Sequence, residues 1–340
     1  LLYIIDVREP FLEKYRLELE ILTQAAKPIV PVFNFIAGHP QELAQWRQNL
    51  AAYNMHATLE FDTVAFTFEA EKRLYQKMQT LLETYYTPLQ KLIDYRAKLW
   101  NQLCLSGSKR IADLIVSVAC YRENKMMKHH QIADSLTQDR LHDFIRKAEQ
   151  RCLHDLLSLF NFLEKDVAIQ NIPVSNGQWQ LDIFAPGILK AYGLDLGSAA
   201  AKGAAAGAGI DLMVGGMSLG AASALGALAG AGWSTFKRYG DEIKATVKGA
   251  TWQCADEKTL QILYLRQKNL LRKLMHRGHA AQDRLHVDQA DHEKLPDQWN
   301  KLISALRQHP TWQESSVARN AHPQFREIEA KLVDALLDER

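Results

Sequence analysis

With 340 residues, the chain is long enough for two or three domains that each bury a core. Its 41 Lys and Arg nearly balance 39 Asp and Glu, leaving a formal charge of +2, so it exerts no global pull on nucleic acid or anionic lipid. Aromatic side chains are scattered rather than interleaved with a basic patch, which argues against a nucleic-acid partner.

The chain opens on a continuous apolar run, Leu1-Leu2-Tyr3-Ile4-Ile5-Asp6, followed by Arg8-Glu9-Pro10 and preceded by no Met. That pattern reads as an interior strand, covered on both faces in a parallel sheet. From Phe11 to Ala26, Leu12, Tyr15, Leu19 and Leu22 recur at helical spacing, and a second apolar run, Pro28 to Phe35, comes next. Strand, crossover helix and strand make one βαβ unit of a doubly wound sheet. Two parallel strands are not stable alone, so further strands are expected upstream of Leu1.

The middle of the chain is predicted helical. From Glu69, the residues Leu74, Met78, Leu81, Leu82, Tyr85, Leu89 and Leu92 recur at steps of three and four, as an inward stripe that packs a core. Pro88 should kink or split this helix. Ser108 suits the N-cap of a second helix with Ile111, Leu114, Ile115 and Val118 inward. A third runs from about Gln138 to Lys165 on Leu141, Ile145, Ala148, Cys152, Leu156 and Leu163. Between Val167 and Phe184, the turn residues Pro173, Ser175, Asn176 and Gly177 indicate a small hairpin or an ordered loop.

Residues Gly193 to Trp233 carry Gly-x-x-x-Gly spacing at Gly193/Gly197, Gly203/Gly207, Gly216/Gly220 and Gly226/Gly230, embedded in Ala and Ser. On a helix each pair makes a flat groove against which another backbone can lie. Three readings compete: a helical hairpin folded back at Asp211–Gly216 inside the protein, the same hairpin inserted in a membrane, and a linker. Regular spacing argues against a linker. Asp211 and Lys202 would each cost about 3 kcal/mol at mid-bilayer, and Ala and Gly offer little transfer energy. A reversible, membrane-associating hairpin survives both objections, with Gly203, Gly207, Gly216, Gly220, Gly226 and Gly230 as its packing faces and self-association through them as a further expectation.

Beyond the block, Leu260, Leu263, Leu265, Leu270, Leu271 and Leu274 alternate with Arg266, Lys268, Arg272, Lys273 and Arg277. This basic amphipathic helix reads as the solvated face of an α-bundle or as a helix lying on an anionic membrane. Helical patterns return around Trp299, Leu302, Leu306 and from Ile328 to Leu337. His276, His279, His286 and His292 lie close in sequence, but only the first two have metal-ligand spacing, so surface or capping roles are expected. The four cysteines, Cys104, Cys120, Cys152 and Cys254, stand far apart and read as reduced core residues of a cytosolic protein. No Gly-x-Ser-x-Gly, His-Glu-x-x-His or paired-carboxylate signature is present, so no independent enzymatic site is expected.

Taken in order, Leu1 to Phe35, Phe61-Asp62-Thr63-Val64-Ala65-Phe66, Ile111-Ala112-Asp113-Leu114, Trp179-x-Leu181-Asp182-Ile183-Phe184 and the Gly-rich block resemble the C-terminal portion of bacterial Era-like, translation-factor-class GTPases with a long uncharacterised C-terminal region. The resemblance implies that Asp6, Arg8, Glu9 and Asn34 form the nucleotide-side edge of a G domain whose phosphate-binding half precedes Leu1. It departs from the family's base-reading motif, since Phe35 stands in place of Lys and Gly38 and His39 supply no nearby Asp. No Gly-x-x-x-x-Gly-Lys-Ser/Thr occurs in these residues, so GTP and Mg²⁺ belong to the parent protein and the chain alone should be inactive. The expected fold is mainly α with a partial α/β remnant: the G-domain half over 1–66, a helical domain over 67–190, the hairpin over 191–235 and a helical region over 236–340. The expected role is that of an effector region coupling nucleotide state to a membrane surface or partner helices. It would work in the cytoplasm, peripheral to the inner membrane. The competing class is a GTP-independent structural or membrane-inserting α-protein.

Overall fold

The structure, a computed structural model, describes residues 1–25, 27–64, 66–125, 131–162, 174–175, 178–179, 181–185, 210–214, 251–276 and 295–338. It is mainly helical, with a small parallel sheet near its start, as the sequence predicts. The chain divides into two units: Leu1–Leu103 with Arg272–Asp283, and Cys104–Leu271 with Arg284–Arg340.

In the first unit the two apolar runs become β1 (Leu2–Asp6) and β2 (Val30–Asn34), joined by α1 (Glu13–Gln24). They pair in parallel, with Leu2 opposite Val30 and Asp6 opposite Asn34. After α2 (Pro40–Ala52), a short strand β3 (Leu59–Glu60) pairs in parallel with β2, giving the order β1-β2-β3. Ile5, Val7 and Phe33 pack with Leu19 of α1 and with Trp46 and Leu50 of α2. Val30, Val32 and Leu59 form a separate cluster with Phe61 and with Leu74 and Leu81 of α3 (Phe68–Leu81). Thr67 caps α3 by accepting from the Ala70 backbone N–H, and Glu69 and Glu71 suit the positive end of its dipole.

Cover on both faces, expected of β1, holds for one face only. Leu2 and Ile4 are 47% and 59% exposed, because the cluster around α3 draws on β2 and β3 and includes no residue of β1.

The helices also differ from the pattern. A 3₁₀ turn, Glu83–Tyr85, separates α3 from α4 (Tyr86–Cys120). The stretch is thus split, as expected, and Pro88 falls in the first turn of α4, where its missing N–H has no intrahelical acceptor to lose. Ser108 starts nothing; it is fully buried inside α4. Beside it, a Cβ on Gly107 would stand 2.7 Å from Leu271 Cδ1, so the glycine permits a close approach. Leu82, Tyr85 and Leu92, expected inward, are exposed, while Glu71, Gln79 and Ile93 are buried. Arg96 of α4 grips Glu71 of α3 through two hydrogen bonds of 2.6 and 3.0 Å.

The second unit contains the rest of α4, α5 (Gln131–Leu159), most of α6 (Glu257–His276), α7 (Trp299–Arg307), α8 (Val317–Ala321) and α9 (Pro323–Leu337). Leu141, Ile145, Cys152 and Leu156 of α5 are buried, as their spacing predicts. β4 (Glu123–Lys125), β7 (Ile210–Val214) and β8 (Thr251–Ala255) form an antiparallel sheet in the order β4-β8-β7. Of the two alternatives for 167–184, the hairpin is present: β5 (Val174–Ser175) pairs antiparallel with β6 (Gln178–Trp179).

The basic helix α6 buries part of the cationic face expected to be solvated, while Arg272 stays exposed. Leu260, Leu263, Leu270 and Leu271 are buried, and so are Arg266, Gln267 and Lys268. Arg266 tolerates burial because its guanidinium lies 3.4 Å from the Glu149 carboxylate and over the Trp179 ring. Where a helical turn was expected from Asp211 to Gly216, residues Ile210–Val214 form a strand, since this apolar run can satisfy a ladder with β8. Gly203, Gly207, Gly216, Gly220, Gly226 and Gly230 lie outside the described residues. Among the described residues no helix is long and apolar enough to cross a membrane. All four cysteines are buried and free of disulfides.

Candidate functional site

Ligands of open parallel sheets bind in the crevice outside the carboxyl ends of the strands. Three of the four residues assigned to the nucleotide-side edge meet there. Asp6 and Asn34 end neighbouring strands as register partners, and Val7 donates its N–H to the Asn34 carbonyl at 3.1 Å. Arg8 folds back on Asp6, with Nε donating to Oδ1 at 3.0 Å and Nη2 to Oδ2 at 2.7 Å. These bonds hold the Asp6 carboxyl below the usual carboxylate range. The pair is substantially exposed, so its contribution to stability is at most about 1 kcal/mol. The Arg8 guanidinium also lies 3.8 Å from the centre of the Phe35 ring.

Glu9 does not join them. Its carboxylate accepts from Lys14 and Tyr15 at the start of α1, while its carbonyl accepts from the Trp46 indole at 2.9 Å.

Asn34 organises both loops that leave the sheet edge beside it. Its Oδ1 accepts from the Phe35 N–H, the Thr63 N–H and the Thr63 hydroxyl, each at 2.9 Å. Phe35 itself adopts φ 57°, a left-handed conformation that is uncommon for a bulky residue and marks local strain. Asp62 completes the arrangement: Oδ2 accepts from Ile36 and Ala37, and Oδ1 from Val64. Asp62 and Thr63 were not singled out from sequence as site residues. Their signal was an Asp-Thr pair directly after the apolar Phe61, a combination that favours side-chain-to-backbone turns.

Chemically, this edge offers a donor and a flat surface. Among the described residues Asn34 Nδ2 makes no hydrogen bond, so it is left to donate to a ligand acceptor, beside the stacked Arg8 and Phe35. Among the described residues no lysine or glycine-rich loop stands at this edge to grip phosphate. Asn34→Ala should strip three donors of their acceptor and cost about 2 kcal/mol. Thermal unfolding, together with faster amide exchange at Phe35 and Thr63, is the measurement that checks it.

In the second unit, a cavity of about 400 Å³ is lined by Arg110 and Asp113 of α4, Arg151, Cys152 and Asp155 of α5, and Arg319 of α8. Arg319 is buried and every nitrogen of its guanidinium is engaged. Nη2 donates to Asp113 at 2.7 Å, Nη1 to the Trp312 carbonyl at 3.3 Å and Nε to Asn320 at 3.1 Å. It is a latch between α4 and α8 rather than a ligand-binding cation. Burial pushes the Cys152 thiol up, which keeps it protonated and unreactive.

The segment Trp179 to Phe184, quoted above for its resemblance, is a strap within the same unit. Trp179 takes the Arg266 guanidinium on its ring, the Leu181 carbonyl accepts from Arg266 at 2.5 Å, and Asp182 pairs with Arg146 at 2.6 Å. Ile183 is buried and Phe184 stacks on His142. Of the clustered histidines only His276 lies among the described residues, and among those no group of His, Cys, Asp and Glu is arranged to hold a metal.

Residues 47–338 match the family described as Domain of unknown function (DUF3482), and the chain belongs to it. The match begins within α2, so β1, α1 and β2 lie ahead of it. No curated protein and no solved structure matches the chain.

Proposed function

We propose that the chain is the effector region of a GTP-binding protein. In this reading β1, β2 and β3 are the base-side part of a nucleotide domain whose phosphate-binding half adds strands beyond β1. The observation that carries it is that β1 is, among the described residues, an edge strand, with Leu2 and Ile4 exposed on one face of the sheet. Parallel sheets are normally covered on both faces, and an apolar edge strand is a template for another strand. Asn34 and Asp6 at adjacent carboxyl ends, and a family match that starts only at residue 47, support the same junction. The added half holds GTP and Mg²⁺, and the helical remainder relays nucleotide state to partner helices or to the inner membrane from the cytoplasm.

The test is Mg²⁺-GTP titration of the full-length protein against residues 1–340 alone. Micromolar binding and turnover are expected of the former and neither of the latter. A full-length protein that lacks a Gly-x-x-x-x-Gly-Lys-Ser/Thr loop, or fails to bind GTP, overturns the assignment. For the membrane arm, liposome flotation of the full-length protein should be lost in Gly216→Leu/Gly220→Leu; a parent protein that never floats leaves partner helices as the target.

A further inference from the structure

The first half of α4 turns a narrow apolar stripe to solvent. From Tyr85, the residues Pro88, Leu92, Tyr95 and Leu99 follow in alternating steps of three and four. Tyr85, Leu92, Tyr95 and Leu99 are 59%, 36%, 62% and 40% exposed. The opposite face does the packing: Ile93 is buried, Arg96 is bound to Glu71, and Trp100 stacks on Phe68. Folding therefore leaves uncovered an apolar stripe whose burial against a partner would be stabilising.

The width of the stripe says what kind of surface covers it. A helix that lies on a bilayer needs a broad apolar face, whereas a two-residue-per-heptad stripe is the seam of one helix against another. With Leu92 and Leu99 in the first heptad position, Lys91 and Lys98 flank the seam. Both are exposed and neither forms an ion pair among the described residues. We propose that this stripe docks one amphipathic helix of a partner protein, apolar along its seam and carrying Glu or Asp on the flank that meets Lys91 and Lys98.

Charge selects this occupant over a second copy of the chain. In an antiparallel pair the lysine flanks face each other, bringing Lys91 of one copy to Lys98 of the other. That arrangement sets like charges together, which disfavours wrong pairings more than it weakens right ones. Nucleotide binding is not needed for this inference, because the stripe belongs to a helix packed on α3.

The probe is a synthetic helical peptide with Leu at both seam positions and Glu on both flanks, titrated onto the whole chain by fluorescence anisotropy. Tyr95→Glu and the pair Lys91→Glu/Lys98→Glu should each weaken binding by at least about tenfold. A peptide with Lys on its flanks should bind the Lys91→Glu/Lys98→Glu chain and not the parent chain. The substituted residues are exposed, so circular dichroism and melting temperature should stay unchanged and separate lost docking from lost fold. Binding indifferent to flank charge overturns the proposal. So does a dimer in sedimentation that Tyr95→Glu dissociates, or recruitment to phosphatidylserine-rich vesicles that the same substitutions abolish.

Discussion

Trp46→Ala is expected to destabilise the first unit by about 4 kcal/mol, the upper range for truncating a buried aromatic. Trp46 is 1% exposed and meets Phe11 and Tyr15 edge-on at 5.0 and 4.9 Å. Its indole N–H also supports the Glu9 carbonyl, so the loop that presents Arg8 to Asp6 depends on it. Trp46→Phe keeps a ring in the cavity and should lose only part of this, about 1–2 kcal/mol, through the missing hydrogen bond and volume. Denaturant unfolding of the two variants separates ring packing from the indole bond. A loss below about 1 kcal/mol in Trp46→Ala would show that α2 does not anchor the sheet.

A second large effect is expected from pH. The Glu149 side chain is almost completely buried, and burial pushes its carboxyl from 4.5 up to about 7, with Arg266 opposing the shift. The folded state thus keeps a proton that the unfolded chain releases. Below about pH 4.5 both states are protonated and the stabilisation is complete. As pH rises toward 7 the unfolded chain ionises first, and stability falls by about 1.4 kcal/mol per pH unit, about 3 kcal/mol in all. Glu149→Gln should flatten this slope. Denaturant midpoints of both proteins at about pH 5 and pH 8 give the comparison. Equal slopes in parent and variant would place the titrating group elsewhere.

Much of the architecture follows from local pattern, and the departures have definite causes. β1 and β2 were legible because strands of a parallel sheet read as unbroken apolar runs, and α1 between them keeps clear helical spacing. β3 was not, since Leu59–Glu60 is two residues long and has no periodicity to detect. Ile210–Val214 was absorbed into a helical reading because Ile, Leu, Met and Val carry no information on period over so short a run. Ser108 resembled a cap because serine at a helix start and serine beside a close-packed glycine look the same in one dimension. Spacing also identified the stripe through Leu82, Tyr85 and Leu92 as a face without saying which way it points. At the candidate site, the resemblance pointed to Asp6, Arg8 and Asn34, which the structure brings to one sheet edge. The joint dependence of two loops on Asn34 and Asp62 appears only once residues 26–29 positions apart are brought together.

The Asp113–Arg319 latch joins residues 206 positions apart. A ribosome therefore releases α4 and α5 long before the guanidinium that neutralises Asp113 has been made. Until then the aspartate faces water, and the walls of the groove lack one side. This contact can therefore form only after α8 has been synthesised, well after α4 and α5.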